Sequence, residues 1–298
     1  MTATEAPGWF RRAIETSFDD QVVEIEGQPI HYLRWGDAGR PGLVLVHGGG
    51  AHAHWWGHIA PLLLGADEYT VVALDLSGHG DSGRRRPYEL DLWCREVVGV
   101  AADAGIAGPP IVIGHSMGGF VSIATAAGYP DRVAGIVIID SPVIHPDAEV
   151  EAGRRGIDFK KPKIHPDIET AVGRFRTVPA QKNYEPYVMD HVARKSLKEV
   201  DGGVTWKFDP AFFGPRRSAA SDLLANVSCR VALFRSEYGL VTPDIGAYMY
   251  EQMGRVAPVI ELPQAGHHPM LDVPLTLVTG LRTLLADWEH STALPRPG

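Results

Sequence analysis

A ten-residue run near the middle of the chain places a serine at the apex of a tight turn between a strand and a helix. The run is Ile111-Val-Ile-Gly-His-Ser-Met-Gly-Gly-Phe120. Its β-branched apolar start is typical of a buried parallel strand. The residues from 120 to 127 favour a helix, which Gly128 and Pro130 end. Glycines two residues before and after Ser116 leave the space that a sharp turn needs. The run therefore predicts an exposed serine hydroxyl beside the N–H groups of a helix N-terminus.

Segments typical of strands and helices alternate along most of the 298 residues. The predicted strands are 22–26, 30–35, 42–46, 69–76, 110–114, 133–140, 230–235 and 259–262. The predicted helices, besides the one after Ser116, are 55–64, 90–104, 242–253 and 274–289. This alternation predicts an α/β fold with a mainly parallel twisted sheet and helices on both faces. Reactive groups in such folds gather at the carboxyl ends of the strands.

The alternation stops between residues 142 and 221, where the chain is rich in charge and proline and contains no good parallel strand. We therefore expect an α/β core built from residues 20–141 and 222–290. Residues 142–221 are expected to form a helical cap inserted over the site.

Composition narrows the classes of partner. The formal net charge is -8, which argues against a nucleic-acid partner, and the run Arg84-Arg85-Arg86 is interpreted as a solvated loop. Cys94 and Cys229 are the two cysteines and give no disulfide framework. No secretory signal and no membrane-spanning stretch is apparent, so we expect a cytoplasmic protein. The oligomeric state stays open between a monomer and a homodimer.

A serine hydroxyl is a weak nucleophile and needs a base, an acid that orients the base, and donors for the oxyanion. The strand Leu43–Val46 runs into His47 and three glycines, so the Gly49 N–H is a candidate donor together with the Met117 N–H. A phosphate-binding loop is the alternative, but no Gly-Lys-Ser/Thr follows and the spacing is not that of a dinucleotide site. His267 follows the last predicted strand and is the candidate base, with His268 as its neighbouring competitor.

These motifs together resemble the α/β-hydrolase fold superfamily. They are His47-Gly48-Gly49, Trp56, the run from Asp75 to Ser82, the pentapeptide from Gly114 to Gly118, and Gly266-His267. The resemblance implies that Ser116 is the nucleophile and His267 the base, with Gly49 and Met117 as the oxyanion hole. It also implies that the run from Asp75 to Ser82 shapes the loop beside the site.

The acid of the triad departs from the pattern of this superfamily. The usual aspartate follows the strand after the cap, and Gly239 occupies that place here. Asp140, at the end of the strand after the nucleophile helix, is the first candidate, because some dehalogenases and lactone hydrolases of the superfamily carry the acid there. Glu237 is the alternative acid, and Asp244 is a further carboxylate to be measured. A protein without any acid, acting as a weak catalyst or a ligand-binding protein, is the third reading.

Several histidines and aromatic residues carry weaker signals. His52, His54 and His58 cluster after the glycines, but no carboxylate or cysteine accompanies them, so we expect no metal there. The aromatic residues of the cap are expected to pack its own small core, with a few facing the site and making it apolar. They are Tyr184, Tyr187, Trp206, Phe208, Phe212 and Phe213.

The sequence thus predicts a serine hydrolase that cleaves a carboxylic ester or lactone through an acyl-enzyme and needs no cofactor. A small apolar ester-like molecule is the expected substrate. Hydrolysis of a carbon–carbon bond in a diketone-type substrate is the alternative reaction, and a non-catalytic ligand-binding protein is the alternative class.

Overall fold

The computed structural model describes residues 6–65, 68–145, 161–212 and 220–291. Every helix within these ranges is too short or too polar to cross a bilayer.

An eight-stranded sheet forms the centre of the fold, in the order β1-β2-β4-β3-β5-β6-β9-β10. Its strands are β1 (Asp19–Ile25), β2 (Gln28–Trp35), β3 (Gly42–Val46), β4 (Thr70–Leu74), β5 (Ile111–His115), β6 (Gly135–Ile139), β9 (Arg230–Tyr238) and β10 (Val259–Gly266). β1 and β2 form an antiparallel hairpin, and β2 also pairs antiparallel with β4. All other neighbours pair in parallel, which confirms the predicted fold class.

Helices cover both faces of this sheet. The helices are α1 (Gly8–Glu15), α2 (Leu90–Asp103), α3 (Met117–Gly128), α4 (Ile168–Val172), α5 (Pro186–Lys195), α6 (Ala220–Ala225), α7 (Pro243–Gln252), α8 (Pro269–Asp272) and α9 (Pro274–His290). One core contains α1 and α9 side chains such as Phe10 and Leu281. The other contains α2, α3 and α7 side chains such as Trp93, Val121 and Met249. The central strands β3, β4 and β6 are buried along their whole length, as expected when both faces are covered.

One predicted helix is wrong. Residues 55–64 do not form an α-helix but two short 3₁₀ helices, Ala53–Trp56 and Ala60–Leu63. Pro61 lacks a backbone N–H and Gly57 is a poor helix former, so a continuous α-helix is disfavoured here. Helix α1 was not predicted, because its eight residues carry no capping side chain.

The predicted cap contains more than helices in its described part. Besides α4 and α5 it holds an antiparallel hairpin of β7 (Leu197–Val200) and β8 (Gly203–Trp206). Gly202, the second of the two residues in the turn between these strands, has a φ of 86°, a conformation that favours glycine. The chain after β8 is joined to the core by two backbone hydrogen bonds, from the N–H of Gly80 to the Lys207 carbonyl and from the N–H of Asp209 to the Gly78 carbonyl.

Candidate active site

Ser116 lies at the sharp turn between β5 and α3. Its φ of 53° and ψ of -117° lie outside the backbone regions that residues other than glycine favour. Such a conformation costs about 1–3 kcal/mol of conformational free energy. Glycine is required at both flanking positions, 114 and 118, because the surrounding backbone leaves no room for a Cβ. A Cβ on Gly114 would lie 2.2 Å from the Gly118 carbonyl oxygen, and one on Gly118 would lie 2.3 Å from the Val46 carbonyl oxygen. The turn is therefore packed so closely that only glycine fits on either side of the serine.

His267 follows β10, the edge strand, which β6 and β9 separate from the strand before Ser116. Its Nε2 lies 3.0 Å from the Ser116 Oγ. The ring is buried, and its backbone carbonyl accepts a hydrogen bond from the His115 Nε2–H at 2.7 Å. His115, directly before Ser116, thus holds the loop that carries His267.

Asp140 lies at the end of β6, and its side chain is fully buried. Its Oδ2 is 2.7 Å from the His267 Nδ1. An ionised carboxylate only accepts hydrogen bonds, so the Nδ1 carries the proton and the Nε2 is free to accept the serine hydroxyl proton. The backbone N–H groups of Leu240 and Val241 also donate to this carboxylate, at 2.8 and 3.2 Å.

Gly239 explains how the two acid positions are related. It belongs to the loop after β9, the strand between β6 and β10. A Cβ at Gly239 would lie 2.3 Å from both carboxylate oxygens of Asp140. The carboxylate after β6 thus fills the space in which a side chain after β9 would begin.

The other two candidate carboxylates contact neither ring nitrogen of His267. Glu237 accepts a hydrogen bond from the Gln264 N–H at 2.7 Å, which lowers the pKa of its carboxyl. Asp244 lies in the exposed first turn of α7 and accepts from the Thr242 hydroxyl at 2.5 Å.

The two predicted oxyanion donors both belong to backbone next to Ser116. Met117 is the first residue of α3, and Gly49 lines the same cavity as the serine. The loop after β3 runs very close to Ser116, because a Cβ on Gly48 would lie 3.2 Å from the Ser116 Cβ. The donor role of both N–H groups stays a prediction.

A cavity of about 230 Å³ opens above Ser116. Apolar rings line much of it: Trp55, Phe175, Trp206 and Phe208. Three cationic residues also line it: Arg174, Arg176 and Lys207. Of the six aromatic residues predicted for the cap, Trp206 and Phe208 reach this cavity. Tyr187 and Phe212 pack into the two cores, the Tyr184 side chain is exposed, and Phe213 lies outside the described residues.

The histidine cluster after the glycines serves packing and hydrogen bonding in the described structure. His52 donates from its Nε2 to the Ser196 Oγ at 2.8 Å, and His58 donates from its Nε2 to the Met270 carbonyl at 2.8 Å. Burial lowers the pKa of His58 to about 3 and that of His54 to about 4. Neutral buried rings of this kind are structural.

Among the residues that the structure describes, two groups of side chains have ligand atoms close enough together to hold a metal ion. One is His115, His267 and His268, and the other is His31, Asp75 and Asp81. The first group contains His267, the candidate base. Burial lowers the pKa of His115 to about 3 and that of His268 well below its ordinary value, so both rings are neutral. The second group holds loops together, since Asp75 also accepts the backbone N–H groups of Ala53 and Asp81.

Two residues that support the site were not predicted from the sequence. Asp272, in α8, accepts a hydrogen bond from the Gly266 N–H at 2.6 Å. Gln181, in the inserted segment, accepts from the His268 N–H at 2.8 Å. Both fix the backbone around His267, and no local motif marks either of them.

The order of these elements matches a known family. The family model described as alpha/beta hydrolase family matches residues 43–279. The chain belongs to this family. This hydrolase is 27% identical over 272 residues to the esterase Rv0045c of Mycobacterium tuberculosis, covering 89% of each chain.

Solved structures show the same fold. A crystal structure of that Mycobacterium tuberculosis esterase superposes with a TM-score of 0.71 at 24% identity, over 91% of this chain and 92% of the other. The structure of an E-2-(acetamidomethylene)succinate hydrolase superposes with a TM-score of 0.75 at 24% identity, over 91% of this hydrolase and all of that chain.

Proposed function

We propose that this hydrolase cleaves a small carboxylic ester or lactone through an acyl-enzyme formed on Ser116. The observation that supports this most strongly is the continuous chain of contacts from the Ser116 Oγ to the His267 Nε2 and from the His267 Nδ1 to the Asp140 Oδ2, at 3.0 and 2.7 Å. The likeness to an esterase over 89% of both chains supports the same substrate class.

In the first half of the reaction the Ser116 oxygen bonds to the carbonyl carbon while the His267 Nε2 takes the hydroxyl proton. The N–H groups of Gly49 and Met117 stabilise the oxyanion. The tetrahedral intermediate then breaks its bond to the alkoxy oxygen, which receives the proton from His267. The alcohol leaves and the acyl group stays on the serine.

In the second half a water molecule takes the place of the alcohol. His267 removes one water proton as the water oxygen bonds to the acyl carbon, and it returns that proton to the Ser116 oxygen when the acyl–serine bond breaks. The carboxylic acid leaves, and its proton passes to the solvent. Asp140 keeps the Nδ1 protonated and stabilises the imidazolium in both halves.

The alternative class, a non-catalytic ligand-binding protein, depended on a missing acid at position 239. The fully buried carboxylate of Asp140, at 2.7 Å from the His267 Nδ1, favours an enzyme over that alternative. Carbon–carbon hydrolysis uses the same three groups, and no contact in the described cavity favours it over ester hydrolysis.

A fluorophosphonate probe and 4-nitrophenyl acetate test the proposal. We expect stoichiometric labelling of the wild-type protein, with the added mass on the peptide that contains Ser116, and hydrolysis of the ester well above background. Ser116→Ala should abolish both with little change in the melting temperature, because the alanine keeps the Cβ and removes only the hydroxyl that faces the His267 Nε2. If the wild-type protein is neither labelled nor active, the proposal is wrong.

A further inference from the structure

The charge around the catalytic cavity is opposite in sign to that of the whole protein. The chain carries 36 acidic and 28 basic residues. Three cations line the cavity above Ser116, and no Asp or Glu is among the described residues that line it. A basic cavity in an acidic protein concentrates anions at the cavity and not over the rest of the surface. The reason is that cavity walls of low dielectric focus the electric field of the lining charges.

The same charge continues into a second cavity, of about 440 Å³, that shares the walls formed by Trp206 and Phe208. Arg84, Arg86 and Lys161 line this second cavity, and Asp209 is the one carboxylate among its described lining residues. The two cavities together therefore form a basic region on both sides of one aromatic wall.

The three cationic side chains of the catalytic cavity differ in the partners that they already have within the protein. Lys207 is paired with Asp81, with its Nζ 2.5 Å from the carboxylate. Arg176 donates to the backbone carbonyls of Gly173 and Phe175. The Arg174 side chain makes no hydrogen bond or ion pair with any residue that the structure describes, although it lines the cavity together with Ser116.

We propose that the natural substrate carries a carboxylate or a similar anionic group in addition to its ester, and that the Arg174 guanidinium binds this group. The inference rests on the proposed ester hydrolysis at Ser116 and names its substrate class. A guanidinium offers two parallel N–H donors that match the two oxygens of a carboxylate. The aromatic walls would hold the apolar part of the molecule between the ester and the anion. Arg174 is thus a specificity residue, and it takes no part in bond breaking.

Pairs of esters that differ by one charge test this substrate class. One pair places the charge on the acyl side, as 4-nitrophenyl hydrogen adipate against its methyl ester. The other pair places it on the leaving group, as 4-acetoxybenzoate against methyl 4-acetoxybenzoate. For each pair the ratio of kcat/KM, anionic over neutral, is measured for the wild type and the variants, each after correction for the uncatalysed rate.

We expect the wild type to favour the anionic member of at least one pair, and Arg174→Gln to lower that ratio about tenfold. Arg174→Lys should restore part of the ratio, since it returns the charge without the fork of donors. Arg282→Gln is the matched control, because it removes one exposed positive charge from α9. It should leave the ratio at the wild-type value. Raising the salt concentration should lower the ratio of the wild type more than that of Arg174→Gln, because added ions screen the attraction.

The outcomes separate this inference from the proposed function. If both members of each pair are hydrolysed in a Ser116-dependent manner, but the ratio in Arg174→Gln equals that in Arg282→Gln, the anionic substrate class is wrong and the esterase proposal stands. If Ser116→Ala hydrolyses the esters as fast as the wild type, the proposed function itself fails.

Discussion

The carboxylate of Asp140 occupies a place that two different strand ends can reach. β6 and β9 are neighbours in the sheet, so the residue after β6 and the loop after β9 meet at the same edge. The N–H groups of Leu240 and Val241 point at the carboxylate, and Gly239 leaves room for it. A carboxylate placed after either strand would thus lie at nearly the same point in space, next to His267.

The first prediction concerns which carboxylate orients His267. Asp140→Asn should lower kcat by about 10³–10⁴-fold, because the amide favours the wrong tautomer of His267. Glu237→Gln is the matched control. It should keep kcat close to that of the wild type, because Glu237 bonds the Gln264 N–H and not the ring. Steady-state kinetics on one ester measures both. Full turnover in Asp140→Asn would show that the acid is assigned to the wrong residue.

The second prediction concerns Gly239. Gly239→Ala would place a methyl group against the Asp140 carboxylate, so we expect a large loss of kcat and a destabilisation of about 1–3 kcal/mol from overpacking. Gly128→Ala is the control, since a Cβ there meets nothing within 4 Å. The double variant Asp140→Gly with Gly239→Asp should recover part of the activity that Asp140→Gly alone loses. The absence of any recovery would contradict the view that both positions serve one site.

Among the elements, those with a strong pattern were predicted and those fixed by distant contacts were not. β3 was predicted with its observed ends, because a short apolar run between glycines has few alternatives. The predicted β10 is four residues too short, because Pro263 and Gln264 are not typical of strands. The pairing with β9 is irregular between Leu262 and Gly266. The motif at Ser116 and the histidine at 267 could be found from local sequence. The anchoring of the His267 loop by Asp272 could not, because it is a hydrogen bond from the backbone N–H of Gly266, which no residue pattern marks.

Asp272, in α8, leads to a prediction on how the stability of the protein depends on pH. Burial raises the pKa of Asp272 from its ordinary value to about 6. Between pH 4 and 6 the folded protein therefore binds more protons at this group than the unfolded chain does, and its stability falls as the pH rises through that window. Asp272→Asn removes the ionisation while its amide oxygen still accepts the Gly266 N–H. The melting temperature of Asp272→Asn relative to the wild type should therefore rise between pH 4 and pH 7.

Asp244→Asn is the control for this measurement and should behave in the opposite way. The hydrogen bond from Thr242 lowers the pKa of Asp244, so its charged form favours the folded state. Its melting temperature relative to the wild type should fall slightly over the same pH range. Equal shifts in the two variants would mean that the ionisation of Asp272 is not the cause.

In the whole molecule, the inserted segment supplies half of the catalytic cavity but depends on the core for its position. Trp206 and Phe208 line the cavity, and the chain around them is held by hydrogen bonds to the loop that follows β4. Asp209 is almost fully buried and accepts a hydrogen bond from the Tyr88 hydroxyl at 3.0 Å. The position of Trp206 and Phe208 is therefore set partly by Tyr88, which belongs to the core and lies far from them in sequence.

Tyr88→Phe tests this dependence. The variant removes one donor from a buried carboxylate, which should lower the free energy of unfolding by about 1.5 kcal/mol. Because the N–H groups of Gly80 and Asp209 join the inserted segment to the core, both should exchange with deuterium faster than in the wild type. KM should rise more than kcat falls, since the aromatic wall loosens while the contacts among Ser116, His267 and Asp140 stay in place. Tyr129→Phe is the matched control, because its hydroxyl bonds Asp91 on the exposed surface and should leave exchange at Gly80 unchanged. If both variants exchange equally, Tyr88 does not hold the inserted segment to the core.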